Sequence, residues 1–131
     1  MLPITNNSYL VEINLGTLGT QKQVFFPFVP QLEKKQIYGV QTFSVDDISK
    51  SPNGATVLSS AAIAGLTATF LVGDQQDIYL LPCSDLRSRY MFGMIRTFNN
   101  KVFNLTKSFI TMQDTAVLTA NTSILFNFIY K

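Results

Sequence analysis

A chain of 131 residues is read as a single domain, 1–131, long enough to bury about two thirds of the surface its unfolded form exposes without a disulfide staple. Charged residues make up 14%, against the roughly 25% of an ordinary soluble domain, and the net charge is only +2. There is no histidine and a single cysteine, which excludes an intramolecular disulfide, every histidine-containing triad, and the commonest general base and metal ligand.

The first seven residues hold neither a basic region nor an apolar run, so no signal peptide is expected. Tyr9, Val11, Ile13 and Leu15 alternate with Leu10, Glu12 and Asn14, the period of a half-buried strand, and Gly16 and Gly19 then punctuate a turn. Three phenylalanines and two prolines fall within residues 25–30. Prolines this close forbid a helix and demand an extended, partly polyproline path, with residues 24–28 extended up to Pro30. Lys34 and Lys35 follow, and then a strand is expected over 36–45, which is rich in β-branched and aromatic residues.

Residues 46–54 concentrate turn formers, Asp46, Asp47, Pro52, Asn53 and Gly54 among them, and a loop is expected there. Residues 55–60, 66–72 and 77–81 are predicted strands, the last two joined as a hairpin through Gly73, Asp74, Gln75 and Gln76. The uncharged window 51–73 is too short and too polar to span a membrane, and no transmembrane helix is expected. Pro82 to Leu86 suits one helical turn with Ser84 and Asp85 as cap residues. Strands over 91–98 and 101–105 are expected to flank a tight turn at Asn99 and Asn100, and short strands over 109–112 and 116–120 to flank Asp114. In the last segment, 122–131, Ile124, Phe126, Phe128 and Tyr130 face one way, and Leu125, Asn127, Ile129 and Lys131 the other. A strand with bulk on both faces is central in a sandwich or covered by a neighbouring subunit. Short strands with a turn every ten or so residues point to an all-β, antiparallel β-sandwich, and a single jelly roll of about eight strands is the common solution.

The chemistry is sparse. Glu12 and Glu33 are the only glutamates, and most of the six aspartates fall in predicted turns, where they serve their own backbone. A shared Ca²⁺ at Asp74 and Asp77 lacks the ligand ladder of an EF-hand, and a hairpin tip is the better account. Gly16 to Gly19 lacks the lysine and helix of a phosphate loop. Asn6, Asn104 and Asn121 open glycosylation-type triplets of the kind that chance supplies in a chain rich in serine and threonine. Cys83 reads as a small semi-buried residue, and Arg87, Arg89, Arg96, Lys101 and Lys107 as a solvated face instead of a nucleic-acid stripe. No catalytic residue, cofactor, metal or specific nucleic-acid partner is expected, and the chain is not expected to be an enzyme.

The segment 28–40 (FVPQLEKKQIYGV), followed by 49–54 (SKSPNG), 78–86 (IYLLPCSDL) and 103–110 (FNLTKSFI), resembles small jelly-roll virion proteins of tailless icosahedral phages with an internal lipid membrane, such as those infecting Flavobacterium. The resemblance touches about half the chain through short elements. It implies a structural virion subunit, most of all the pentameric vertex (penton) protein, located in the capsid after assembly in the host cytoplasm. Its implied partners are further copies of itself, the major capsid protein, and a spike protein or an underlying membrane protein. The bulky residues of the proline-rich stretch and of the last strand are then candidate interface residues: Phe25, Phe26, Phe28, Pro30, Tyr38, Phe126, Phe128 and Tyr130. The alternative is that these rings fill the chain's own core. A second function class stays open, a jelly-roll binding module for host or carbohydrate recognition or a spike base, weakened by the lack of tryptophan and the scatter of the tyrosines.

Overall fold

The computed structural model describes residues 7–15, 23–45, 48, 50–73, 75–86, 96–112 and 122–130. Its strands are, in chain order, β1 (Asn7–Asn14), β2 (Gln23–Phe25), β3 (Gln36–Phe43), β4 (Thr56–Val57), β5 (Leu66–Val72), β6 (Gln75–Pro82), β7 (Arg96–Val102), β8 (Phe109–Met112) and β9 (Thr122–Tyr130). They form two sheets, one ordered β1-β9-β3-β7 with β4 beside β9, the other β2-β8-β5-β6. The expected all-β sandwich is therefore present.

The pairing has a simple logic. β1 pairs with β9, β2 with β8, β3 with β7 and β5 with β6, all antiparallel, so that the chain is one long double ribbon folded back on itself. Its tip is the turn after β5, where Gly73 takes φ +64°, a region that favours glycine. Two further antiparallel contacts, β3 with β9 and β5 with β8, roll the ribbon into two layers.

Alternation decides which side chains enter the core. Val11 and Ile13 from β1, Ile124, Phe126 and Phe128 from β9, Leu66, Ala68 and Phe70 from β5, and Ile110 from β8 are all buried in one cluster. Within it Phe70 lies 6.1 Å from Phe128 across the two layers, edge to face. A register shift between Ile37 and Gly39 lets both Ile37 and Val40 enter the core from β3 and leaves Tyr38 at the surface. The doubly apolar β9 is central, flanked by β1 and β3, and Leu125 on its opposite face is fully buried within the single chain.

That opposite face is closed by the loop before β4. Glu12, opposite Leu125 in register, accepts hydrogen bonds from Ser51 Oγ (2.6 Å), Ser123 Oγ (2.9 Å), Asn53 Nδ2 (3.0 Å) and the Asn53 backbone N–H (3.3 Å). One carboxylate thus ties the loop to two strands, with charge-assisted bonds that are stronger than neutral ones.

Several expectations are corrected. Asn99 and Asn100 do not turn the chain, because β7 runs through them. Between the pairs Ile37–Lys101 and Gly39–Thr97 the chain advances two residues on β3 and four on β7, so the asparagines sit in a bulge. The strand expected over 55–60 shrinks to β4, which pairs parallel to β9, and is followed by a short helix, α1 (Ser60–Ile63). Ser59 starts that helix, its Oγ accepting from the Ala62 N–H at 3.2 Å. The strand expected over 101–105 ends at Val102, and Leu105–Lys107 form a 3-10 turn. Residues 26–28 lie outside β2, and Pro30 opens a 3-10 turn, Pro30–Leu32, where an extended path was expected. Proline suits that first position, since its fixed φ fits and its missing N–H has no partner there to lose. The turn expected at 82–86 is a 3-10 turn over Cys83–Leu86, which places Ser84 and Asp85 inside it instead of ahead of it. The turn at Gly16 and Gly19, Asp46, Asp47, Asp74, residues 91–95 and the strand expected over 116–120 lie outside the described residues. Among the described residues no helix is long and apolar enough to cross a membrane.

Candidate functional site: a cleft where three connections meet

The connections 26–35 and 103–108 and the turn at Gly73 gather at one end of the sandwich, and each is fixed by its own hydrogen bonds. The Phe26 N–H donates to the Ser108 carbonyl at 3.0 Å, which ties the first connection to the second. Asn104 joins the second to the tip of the ribbon: its N–H donates to the Leu71 carbonyl at 2.7 Å and its Nδ2 to the Gly73 carbonyl at 3.3 Å. Ser108, fully buried, donates from Oγ to the Asn104 carbonyl (2.8 Å) and accepts from the Leu71 N–H (3.1 Å). Buried hydroxyls and amides that find partners in this way rigidify what they join.

Between the connections lies an open cleft of about 360 Å³. Val29, Leu32, Phe103 and Leu105 line it and are buried, and Phe28, Val102, Glu33, Lys34 and Thr106 stand at its edge. Phe103 is held from beneath by Phe70, stacked at 4.8 Å. Phe28 also borders a second, shallower depression of about 260 Å³ shared with β1 residues Tyr9 to Glu12. The ring is therefore a ridge between two hollows.

Lys34 is the one non-glycine residue with positive φ among the described residues, at +60°. It follows the 3-10 turn, where the Leu32, Glu33 and Lys35 N–H groups donate back to Val29, Pro30 and Leu32. A left-handed conformation at a residue with a Cβ is strained, because the Cβ crowds the following carbonyl oxygen, and the surrounding turn imposes it here.

The candidate interface residues divide into two groups. Phe26 is 3% exposed and packs in the core with Phe126 (5.1 Å), Phe70 (5.4 Å) and Phe128 (6.0 Å), and Phe126 and Phe128 are fully buried beside it. For these three the core alternative describes the single chain. Phe25 and Phe28 are 53% and 60% exposed, Tyr38 is 36% exposed, and Pro30 is exposed as well. Phe25 projects from the outer face of β2 and meets the ring of Phe109 edge-on at 5.7 Å. Tyr130 is half-buried against the core. Sequence reasoning missed Val102, 39% exposed at the cleft, together with Asn104 and Ser108. The triplet opened by Asn104 was visible, but its use is structural: the Thr106 hydroxyl donates to Asn104 Oδ1 at 2.9 Å.

Cys83 is buried, and desolvation pushes its thiol up to about 12, which makes it a packing residue and not a nucleophile. The chain matches no protein-family model, no curated protein and no solved structure.

Proposed function

We propose that this chain is a jelly-roll shell subunit, a structural protein that associates with copies of itself, most of all as the five-fold vertex (penton) protein of an icosahedral virion in contact with a major capsid protein. The nested pairing supports the jelly-roll wiring, since a double ribbon rolled into two layers, here one of four strands and one of four with β4 added beside β9, is how two linked Greek keys arise. The observation that carries the assembly reading is the exposure of Phe25 and Phe28 on a segment pre-ordered by Pro27, Pro30 and a 3-10 turn. Each ring has more than half its surface left to bury, about 1 kcal/mol apiece by area, and a pre-ordered segment loses little entropy on docking. Repeated around a closed ring, the contact adds at every interface.

The test is native mass across a concentration series. Association to a five-fold multiple of 14.6 kDa is expected. Phe28→Asp should return the protein to the monomer with its β circular dichroism intact. A monomer at every concentration overturns the ring and favours the second reading, a binding module, to which the cleft beside Phe28 lends support.

A further inference from the structure

The edge of β1 presents a row of backbone groups whose phase can be read. Antiparallel strands turn alternate residues toward each neighbour. The Leu15 N–H donates to the Thr122 carbonyl at 2.7 Å, so Ile13, Val11 and Tyr9 point their backbone groups at β9. The Ser123 carbonyl, opposite Asn14, accordingly turns to the far side of β9 and accepts from the Leu58 N–H at 3.1 Å. The N–H and C=O groups of Leu10 and Glu12 therefore point away from β9, past the edge of the sheet, and among the described residues no strand pairs with them. The strands at the other three ends of the two sheets are blunted against such pairing. β2 has only three residues, β6 shifts register against β5 and ends at Pro82, and β7 is bulged and carries Arg96 and Lys101. β1 keeps one register with β9 over Asn7–Asn14 and holds no proline, lysine or bulge. Its one charge, Glu12, is occupied by Ser51, Ser123 and Asn53. The depression of about 260 Å³ lies along this edge: Tyr9 to Glu12, buried or half-buried, are its floor, and the exposed Phe28, Gln31, Pro52 and Asn53 stand around them.

We propose that β1 accepts an extended segment of a partner protein as an added strand, hydrogen-bonded to the backbone of Leu10 and Glu12, with apolar side chains against Tyr9 and Phe28. The backbone itself names this occupant, because donors and acceptors repeating every second residue along an edge are matched by another extended chain. The occupant is a linear segment instead of the β1 of a second copy. Two copies would have to bring recessed edges to the roughly 4.8 Å of paired strands, and the residues projecting around each edge would meet first. The lining is apolar apart from Glu12, Gln31 and Asn53, so a segment that is uncharged where it crosses Tyr9 to Glu12 loses least hydration on docking. Such docking does not require the ring.

The probe is a fluorescein-labelled peptide alternating valine and threonine over about six residues, the length of an ordinary strand, with a lysine at each end for solubility. Fluorescence anisotropy should show saturable binding below millimolar peptide, and the same peptide with every backbone nitrogen methylated should not bind. Amide exchange on the wild-type protein gives a second reading that needs no variant. In the monomer the Leu10 and Glu12 amides should exchange faster than those of Val11 and Ile13, and the peptide should slow them. Leu10→Pro removes an N–H that faces away from β9, so it should weaken binding at least about tenfold with the β circular dichroism retained. Absence of binding at millimolar peptide overturns the proposal, as does equal affinity of the methylated peptide, which would mean apolar contact without strand pairing. Protection of Leu10 and Glu12 in the monomer without peptide overturns it by showing that the chain covers its own edge. Protection that appears only as protein concentration rises overturns it in favour of a second copy.

Discussion

Phe26 and Phe28 are separated by one proline and have opposite fates, so replacing each by alanine tests the division between core and surface. Phe26 is 3% exposed and touches three other rings, the nearest at 5.1 Å. Its loss removes both transfer energy and the ring contacts and leaves a cavity in a two-layer core that cannot close on it, a cost of about 3–5 kcal/mol. Phe28 is 60% exposed, so only 40% of its surface is removed from water. Against the roughly 1.5–3 kcal/mol for complete burial, its truncation costs about 1 kcal/mol or less. The total stability of a domain is of order 5–15 kcal/mol, so Phe26→Ala takes a large share of it and Phe28→Ala a small one. Urea unfolding at a protein concentration where only monomer is present reads both, with the slope of the transition checked for constancy. Equal losses from the two variants would refute the argument. They would mean that Phe28 is packed in the monomer and that its ring is not available to another molecule.

Cys83 gives a pH dependence with a defined sign. Its thiol is raised from 9.0 to about 12 in the fold, so between those values the folded chain keeps a proton that the unfolded chain has lost. The stability linked to this group is complete below pH 9 and falls as pH rises toward 12, by up to about 1.4 kcal/mol per pH unit, and Cys83→Ala should flatten that slope in alkaline urea titrations. A thiol reagent at pH 8 should modify Cys83 only at the rate of unfolding. Glu12→Ala should cost about 2 kcal/mol, since it strands the Ser51 and Ser123 hydroxyls in buried positions, and amide exchange at residues 53–55 should speed up before that of β1.

The sequence was most informative where apolar residues recur with the period of a strand. β1 shows the alternation that its inward residues require, the hairpin of β5 and β6 turns at Gly73 as expected, and of the two accounts open for the bulk on both faces of β9, a central strand or one covered by a neighbouring subunit, β9 is central within the chain. It was least informative where one residue type suits two structures. Asparagine is as good in a bulge as in a turn, so Asn99 and Asn100 within β7 carried no signal that separates the two. Proline stops a helix from within and starts one from its first position, and Pro30 does the latter. For the candidate site, the composition of residues 25–30 marked a connection that borders the cleft. It could not say that Phe26 turns inward while Phe25 and Phe28 stay out, because that division depends on where β2 ends and on the bond from the Phe26 N–H to Ser108, a residue more than eighty positions away.

The same wiring joins the site to the stability of the fold. Pairing β1 with β9 closes nearly the whole chain, bringing Asn7 opposite Tyr130, yet closure entropy grows only with the logarithm of loop length, so this ladder costs little more than a shorter one. What it does cost is time, since long-range pairs form late, and the local hairpin of β5 and β6 is the natural first element. The Phe28 ridge passes along β1, sharing the shallower depression with Tyr9 to Glu12. A molecule seated against Phe28 therefore rests on both the connection and the strand that completes the sandwich. It binds the closed form and not the open one, and by mass action it holds the ribbon shut. Assembly through this ridge is thus expected to protect the amides of β1 and β9 from exchange more than those of β5 and β6, whose pairing lies outside the depression and can persist when β1 opens.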